Sequence, residues 1–342
     1  MKKIVWCVVL LMLSVTTSWS QKGKEFTVLQ WNIWQEGTMV KGGYDAIVNE
    51  LVRLQPDFVT FSEVRNYRNT NFIARLIASL KERGVTYYGF YSYDSGLLSK
   101  HPITDSVTVH PEKGDHGSIY KLKSTIHGRK IAVYTAHLDY LNDTYYDVRG
   151  YDGNSWKEIP IPTSVDEVLR RNALSLRDEE IADFLASAKQ DLEDGYCVIL
   201  GGDFNEPSHL DWTEATRYMY DHHGLVVPWP QTVSLEKAGF IDCFRTIYPN
   251  PVTHPGITFP ADNPLVPIQK LTWTPRGDER DRIDYLFYQG KGLQVTDCKV
   301  FGPEGSIAYS QRVKNHTSDR FIKPLDVWPT DHKGVLATFR IK

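Results

Sequence analysis

An acid and an amide two residues apart, Asp203 and Asn205, close the run Val198-Ile199-Leu200-Gly201-Gly202-Asp203-Phe204-Asn205. Residues i and i+2 of an extended chain share a face. Both side chains would therefore emerge together from the end of a buried apolar strand. Gly201 and Gly202 would let a ligand approach the backbone closely. A carboxylate beside a carboxamide at a strand mouth suits a hard cation and the phosphate oxygens bound to it. The same residue types also end strands in ordinary turns, so this segment alone leaves both readings open.

The pattern recurs in order along the chain. Val28–Ile33 is a short apolar strand with Asn32 near its end. Asp57–Arg65 delivers Glu63, Ile131–Asp139 delivers His137, and Arg282–Tyr288 carries Asp284 at its start. Asp331 and His332 stand just ahead of the last apolar run, Val335–Phe339. Each of these residues alone reads as a turn former or a solvated side chain. Eight of them at six strand edges form an ordered constellation that chance rarely supplies.

This ordered set, with the Gly-Asp-Phe-Asn and Thr-Asp-His signatures at 202–205 and 330–332, resembles the endonuclease/exonuclease/phosphatase superfamily, the DNase I-like metal-dependent phosphoesterases. Gly96–Ile103 also resembles a structural strand of that superfamily. The resemblance runs from about residue 26 to the C-terminus. It implies an α/β fold, a four-layer α/β/β/α sandwich of two packed mixed β-sheets flanked by helices, with the site where strand ends converge.

Phosphate-ester hydrolysis requires a neutralised phosphate, an activated in-line water and a stabilised leaving oxygen. The resemblance implies that Glu63 and Asn32 hold a divalent cation, Mg²⁺ foremost, with Mn²⁺ or Ca²⁺ as substitutes, and that Asp331 joins its sphere. Mg²⁺ takes one or two carboxylates, waters and substrate phosphate rather than a full protein cage. His332 is the expected general base, since imidazole accepts a proton near neutral pH. Asp284 matches the position that orients it. Asp281 competes for that role, and Asp284 is preferred because the apolar strand begins around it. Asp203 would position the nucleophile or the cation. Asn205 would donate to a non-bridging oxygen, and His137 would contact phosphate. Relatives that repair abasic DNA carry tyrosine in the region of His137, which disfavours that activity. Arg65, two residues after Glu63, would stand near substrate or on the surface.

Composition narrows the substrate. The 342 residues are 41% hydrophobic, enough for a large core. No linker divides them, and 21–342 reads as one catalytic domain. Residues 1–20 have the layout of a secretory signal peptide: Lys2 and Lys3, an apolar run from Ile4 to Leu13, then Ser18 and Ser20 at cleavage-site spacing. The expected location is secreted or periplasmic, with no transmembrane segment in the mature chain. Removing those residues leaves 37 basic residues against 42 acidic, a net charge of −5. No basic run marks a duplex-binding stripe. Cys197, Cys243 and Cys298 remain, an odd number that is no disulfide framework. Cys197 reads as a buried thiol, while Cys243 and Cys298 could pair.

The expected substrate is a phosphodiester or phosphomonoester: a phospholipid head group, a sugar or inositol phosphate, or nucleic acid. No protein partner is implied. A DNase I-like extracellular nuclease is the alternative, and a catalytically inactive binding protein on the same fold is an alternative of another class.

The elements that must hold these residues alternate between strand-like and helical runs. Tyr44–Leu54 and Asn71–Lys81 carry apolar residues at helical spacing, the first stopped by Pro56 and the second by Gly84. Ser164–Ala188 reads as the longest helical stretch. Leu141–Thr163 follows His137 and is expected to hang over the site, with Tyr145 and Trp156 as substrate contacts; its aromatics could equally pin the loop to the body. Pro249–Pro275 is expected to be a rigid wall or surface loop, and Gly302–Pro329 a third irregular segment. His101 reads as structural, and His222-His223 as a solvated loop.

Overall fold

The computed structural model describes residues 24–114 and 116–342, so the signal-peptide expectation for 1–20 lies outside the described residues. Two mixed sheets pack face to face. The first has seven strands in the order Phe321–Ile322, Leu293–Phe301, Gly334–Ile341, Lys24–Asn32, Phe58–Val64, Asp94–Ser99 and Tyr88–Gly89. The second has six: Ile103–His110, Ser118–Ile126, Arg129–His137, Cys197–Asp203, Asp284–Gln289 and Ile241–Asp242. Besides the short edge pair Leu293–Phe301 with Phe321–Ile322, each sheet holds one long parallel pair, Lys24–Asn32 with Phe58–Val64 and Arg129–His137 with Cys197–Asp203. Helical segments connect both long pairs, as a parallel crossover demands.

Strand alternation builds the layers. Phe26, Val28, Phe58, Ile131, Val133, Ile199 and Leu286 face inward and form the core between the sheets. Their neighbours Leu29, Trp31, Val59 and Phe61 face outward, under Ile47 and Leu51 of helix Gly43–Leu54 and Phe72 and Leu76 of helix Phe72–Glu82. On the other side Ala132, Tyr134, Val198 and Leu200 pack under Ile181 and Phe184 of helix Arg177–Glu193. The result is the α/β/β/α sandwich. Asn71 caps the second helix by accepting from the Ala74 N–H at 3.0 Å.

The inner faces turn polar toward one end. Gln30, Asn32, Thr60, Ser62, Thr135, His137, Asp203 and Asp284 are all buried there. His137 and Asp284 both lie level with Asp203 in the register, and Asn32 with Ser62. The glycines before Asp203 serve this packing rather than a ligand's approach. A Cβ on Gly201 would meet Thr60 Oγ1 of the facing sheet at 2.3 Å, and one on Gly202 would meet the Ala136 carbonyl oxygen at 2.7 Å.

Several expectations change. The 164–188 stretch is two helices, Val165–Asn172 and Arg177–Glu193. The break comes where Asn172 turns its amide into a buried network with Glu206, Thr144 and Arg177. Leu174, in the break, is 70% exposed. Gly302–Pro329 is not irregular but contains the hairpin Gly305–Ala308/Gln311–Lys314. His222 is not solvated: it is buried and stacked on Trp212 with centroids 3.7 Å apart. Its pKa is driven well below the ordinary value by burial and by Arg149. Cys197, Cys243 and Cys298 are free buried thiols. No helix among the described residues is long and apolar enough to cross a membrane.

Candidate active site

The polar end of the sandwich opens into a cavity of about 290 Å³ lined by Glu63, Arg65, His137, Asp203, Asn205, Asp331 and His332. Eight of the eleven residues singled out in the sequence, these seven and Trp156, thus share one cavity. Glu63, Arg65, His137, Asp203 and Asn205 come from the carboxyl ends of the parallel strands or the loops just after them, where α/β sheets collect ligands, and Asp331 and His332 from the turn ahead of the last strand, Gly334–Ile341. Asn32 and Asp284 stand directly behind them, fully buried.

Glu63 reaches the cavity through local strain. The register slips between Ser62 and Val64, and Glu63 has φ 69°. A bulge of this kind re-aims one side chain out of the strand pattern. Its carboxylate is fixed at both oxygens, by Asn32 Nδ2 at 3.0 Å and the Gln35 N–H at 2.9 Å. The loop that supplies Gln35 has three consecutive non-glycine residues in the left-handed region, Trp34, Gln35 and Glu36. Such strain concentrates at functional sites. Asn32 donates to Asp203 Oδ2 as well, at 2.8 Å, and its own oxygen accepts from the Trp34 N–H. Asn32 therefore ties two carboxylates together from behind.

His332 Nδ1 is bonded to Asp284 Oδ2 at 2.9 Å, and its Nε2 lies 3.7 Å from Asp203 Oδ2. Phe259 packs on the ring with centroids 4.8 Å apart. Asp284, not Asp281, is the acid on this histidine. Asp281 instead binds Arg149 at 2.8 Å and the Trp212 indole. On the other side His137 Nδ1 is bonded to Asp94 Oδ1 at 2.8 Å, with Nε2 3.9 Å from Asp203 Oδ2. Two imidazoles, each backed by its own carboxylate, thus flank Asp203. Asn205 spends one amide hydrogen on the Leu138 carbonyl at 2.9 Å, while its N–H holds Asp203 Oδ1 at 3.0 Å.

Burial opposes charge on both imidazoles, but the surrounding carboxylates win. His137 is raised to about 9, chiefly by Asp94, and His332 to about 10, by Asp284 and Asp203. Asp203 and Asp331 are pushed up by burial against the pull of His332, Asp331 to about 7. This excess of buried carboxylates, all hard oxygen donors, fits a divalent cation. Ligand atoms of Asp203, Asp284 and His332 lie within 4.8 Å of one another. Asp284 is already spent on His332 and on Gln30 Nε2. The carboxylates that face the cavity are Glu63, Asp331 and Asp203.

The outer wall is aromatic: Trp34, Tyr140, Tyr146, Trp156, Phe259 and Trp273. The insertion after His137 does border the cavity, and Pro249–Pro275 supplies wall residues through Phe259 and Trp273. Tyr145 does not reach it. It is fully buried, stacked under Tyr146 at 4.1 Å. Consecutive residues of the single turn Thr144–Asp147 point in different directions, so only one tyrosine can face the site. Arg65 lines the cavity paired with Asp94 at 2.9 Å. Asp94, Gln30, Ser62, Asp143 and Tyr146 were not singled out in the sequence. Asp94 was findable, since it opens the Asp94–Ser99 strand as Asp284 opens its own.

The family model described as "Endonuclease/Exonuclease/phosphatase family" matches residues 29–332. An uncharacterized protein of Caenorhabditis elegans is 29% identical over 333 residues, covering 95% of this chain and 94% of its own. Among solved structures, TDP2 of D. rerio complexed with a single-strand DNA product superposes with a TM-score of 0.51 at 16% identity, covering 92% of this chain and 99% of that one. Truncated C. elegans TDP2 gives 0.52 at 18%, covering 92% and 98%. The human Nocturnin catalytic domain with bound sulfate gives 0.51 at 14%, covering 93% and 95%. At these identities the structures attest the fold.

Proposed function

The chain belongs to the endonuclease/exonuclease/phosphatase family, and on that premise we propose that it is a divalent-cation-dependent phosphoesterase, secreted or periplasmic, that hydrolyses a small phosphate ester. The observation that carries this reading is the His332–Asp284 pair facing Asp203 across the cavity from Glu63 and Asp331. Glu63, Asp331 and Asp203 would hold the cation, and their hard oxygen donors suit Mg²⁺. When bound, it neutralises the carboxylates and the phosphate and so returns His332 to a range where it can accept a proton.

The chain's own groups do the rest. Asp284 keeps the proton of His332 on Nδ1, which leaves Nε2 to take one from the attacking water. His137, held cationic by Asp94, and the second amide hydrogen of Asn205 bind the non-bridging oxygens. Phe259 and the aromatic wall exclude bulk water and strengthen these contacts. One observation favours a second assignment within the same activity. His332 stays protonated while the carboxylates around it are uncompensated, and in that state Asp203 would take the proton of the water while His332 binds phosphate.

The net charge argues against duplex nucleic acid as substrate. DNA in the TDP2 structure keeps a nuclease as the competing reading. A panel of phosphomonoesters, phosphodiesters and supercoiled plasmid, each with Mg²⁺, Mn²⁺ or Ca²⁺ and with EDTA as control, tests the proposal. EDTA-sensitive turnover of small esters is expected. Plasmid nicking above all small esters would replace the reading with a nuclease, and no metal-dependent turnover at all would favour a binding protein.

A further inference from the structure

Asp143 is an acid that neither the fold nor the reaction described above employs. It stands at the N-cap of the turn Thr144–Asp147, where an aspartate ordinarily accepts from the backbone N–H groups, yet its side chain makes no capping bond. It lines the catalytic cavity at 4% exposure, and no hydrogen bond from the described residues reaches its carboxyl. Its backbone is nonetheless pinned. A Cβ on Gly153 would strike the Asp143 carbonyl oxygen at 2.4 Å, so the insertion folds tightly back onto this residue. A hydroxyl that enters the cavity can supply the partner this carboxyl lacks.

The surroundings say what kind of donor. Tyr146, Trp156 and Trp273 line the same part of the cavity. Trp156 packs on Tyr146 at 5.0 Å and on Trp273 at 4.7 Å, so the rings are already in contact and no flat base can slide between them. They offer a one-sided apolar platform. Among the described residues Arg65 is the one lysine or arginine that lines the cavity, and it is paired with Asp94. A polynucleotide track needs a row of such groups. The volume, about 290 Å³, suits a single head group.

We propose that Asp143 and the Tyr146/Trp156/Trp273 platform form a subsite for a hydroxylated ring, so that the alcohol half of the ester is a cyclic polyol such as a sugar or inositol. The apolar C–H face of the ring rests on the platform, and one ring hydroxyl donates to, or accepts from, the Asp143 carboxyl. Burial holds that carboxyl well above the usual carboxylate range despite Arg177, which gives it a proton to share with a hydroxyl oxygen. This inference rests on the phosphoesterase reading and narrows its substrate.

The test compares myo-inositol phosphate with cyclohexyl phosphate, the same ring without hydroxyls, each as the monoester and as the methyl diester, with Mg²⁺. The wild type is expected to prefer the hydroxylated ring by about 10- to 100-fold in kcat/KM, the worth of one hydrogen bond to a buried acid. Asp143→Ala should bring that ratio close to one, and Asp143→Asn, which keeps hydrogen-bonding atoms in place and guards against a folding defect, should keep part of it. Phosphatidylinositol vesicles separate the two sources of such a ring. Faster turnover on vesicles assigns it to a lipid and slower turnover to a soluble ester, and either keeps the hydroxylated ring. Equal turnover of both rings by wild type, or an equal loss on both in Asp143→Ala and Asp143→Asn, overturns the subsite while leaving the phosphoesterase reading intact. No metal-dependent turnover of any ester in the panel defeats the phosphoesterase reading itself, and the subsite with it.

Discussion

At the scale of single residues, each candidate group has a partner that tunes it, and the partners make the predictions specific. His332→Ala should abolish turnover. Asp284→Asn should cost about 10²- to 10³-fold in kcat, because the ring loses its fixed tautomer while other groups still bind the phosphate. Glu63→Gln should instead raise the Mg²⁺ concentration needed for half-maximal rate. His137 offers a pH test read in stability and not in turnover. Its raised pKa means that its contribution to stability is complete below about 6.5 and is lost as pH rises through about 9. Asp94→Asn removes the main cause, so its imidazole should titrate at or below the ordinary value by NMR. Between those limits the wild type should lose stability relative to the variant; parallel pH curves would refute the pairing. Residue types and order disclosed His332, Asp203 and Glu63 because a chemistry demands them. They could not disclose Asp143, whose importance lies in a hydrogen bond it does not make.

At the scale of elements, the close approach of the two sheets is set by one glycine. Gly201→Ala should destabilise by about 1–3 kcal/mol through overpacking on Thr60. Thr60→Ala should also destabilise, since Thr60 Oγ1 donates to Gln30 Oε1 at 2.6 Å. Removing the hydroxyl relieves the clash, so urea denaturation of the double variant should show less than the sum of the two losses. Additive losses would mean the sheets do not touch there. The insertion is likewise an integral element rather than a detachable flap. Tyr145 and Val148 pack with Trp212 and Trp229, and Arg149 is locked to Asp281. Proteases should therefore cleave 141–163 no faster than the body of the domain. Strands and the first two helices were legible because alternation and helical spacing are local. The break at 173–176 was not, because it depends on Asn172 meeting Glu206, 34 residues away.

At the scale of the molecule, the architecture concentrates negative charge where two sheets meet, and that placement couples stability to protons and to the cation. Asp331 is raised to about 7, His137 to about 9 and His332 to about 10. All three bind protons more tightly folded than unfolded, so without a cation the folded state loses stability as pH rises from about 4, the carboxylate value in the unfolded chain, to about 10. A divalent cation takes the place of those protons. Its affinity should therefore rise with pH, and its stabilisation should be largest in alkaline solution. At a hundred times its dissociation constant, a ligand bound only by the folded state adds about 2.7 kcal/mol, or about 4 °C in Tm for a domain of this size. The expected result is a melting temperature that falls with pH in EDTA and stays nearly level in Mg²⁺. Glu63→Gln should need a higher Mg²⁺ concentration to show the same protection. Wild type that melts alike with EDTA and Mg²⁺ across the range would show that the buried carboxylates hold protons and not a metal. The phosphoesterase reading would then lose its cation.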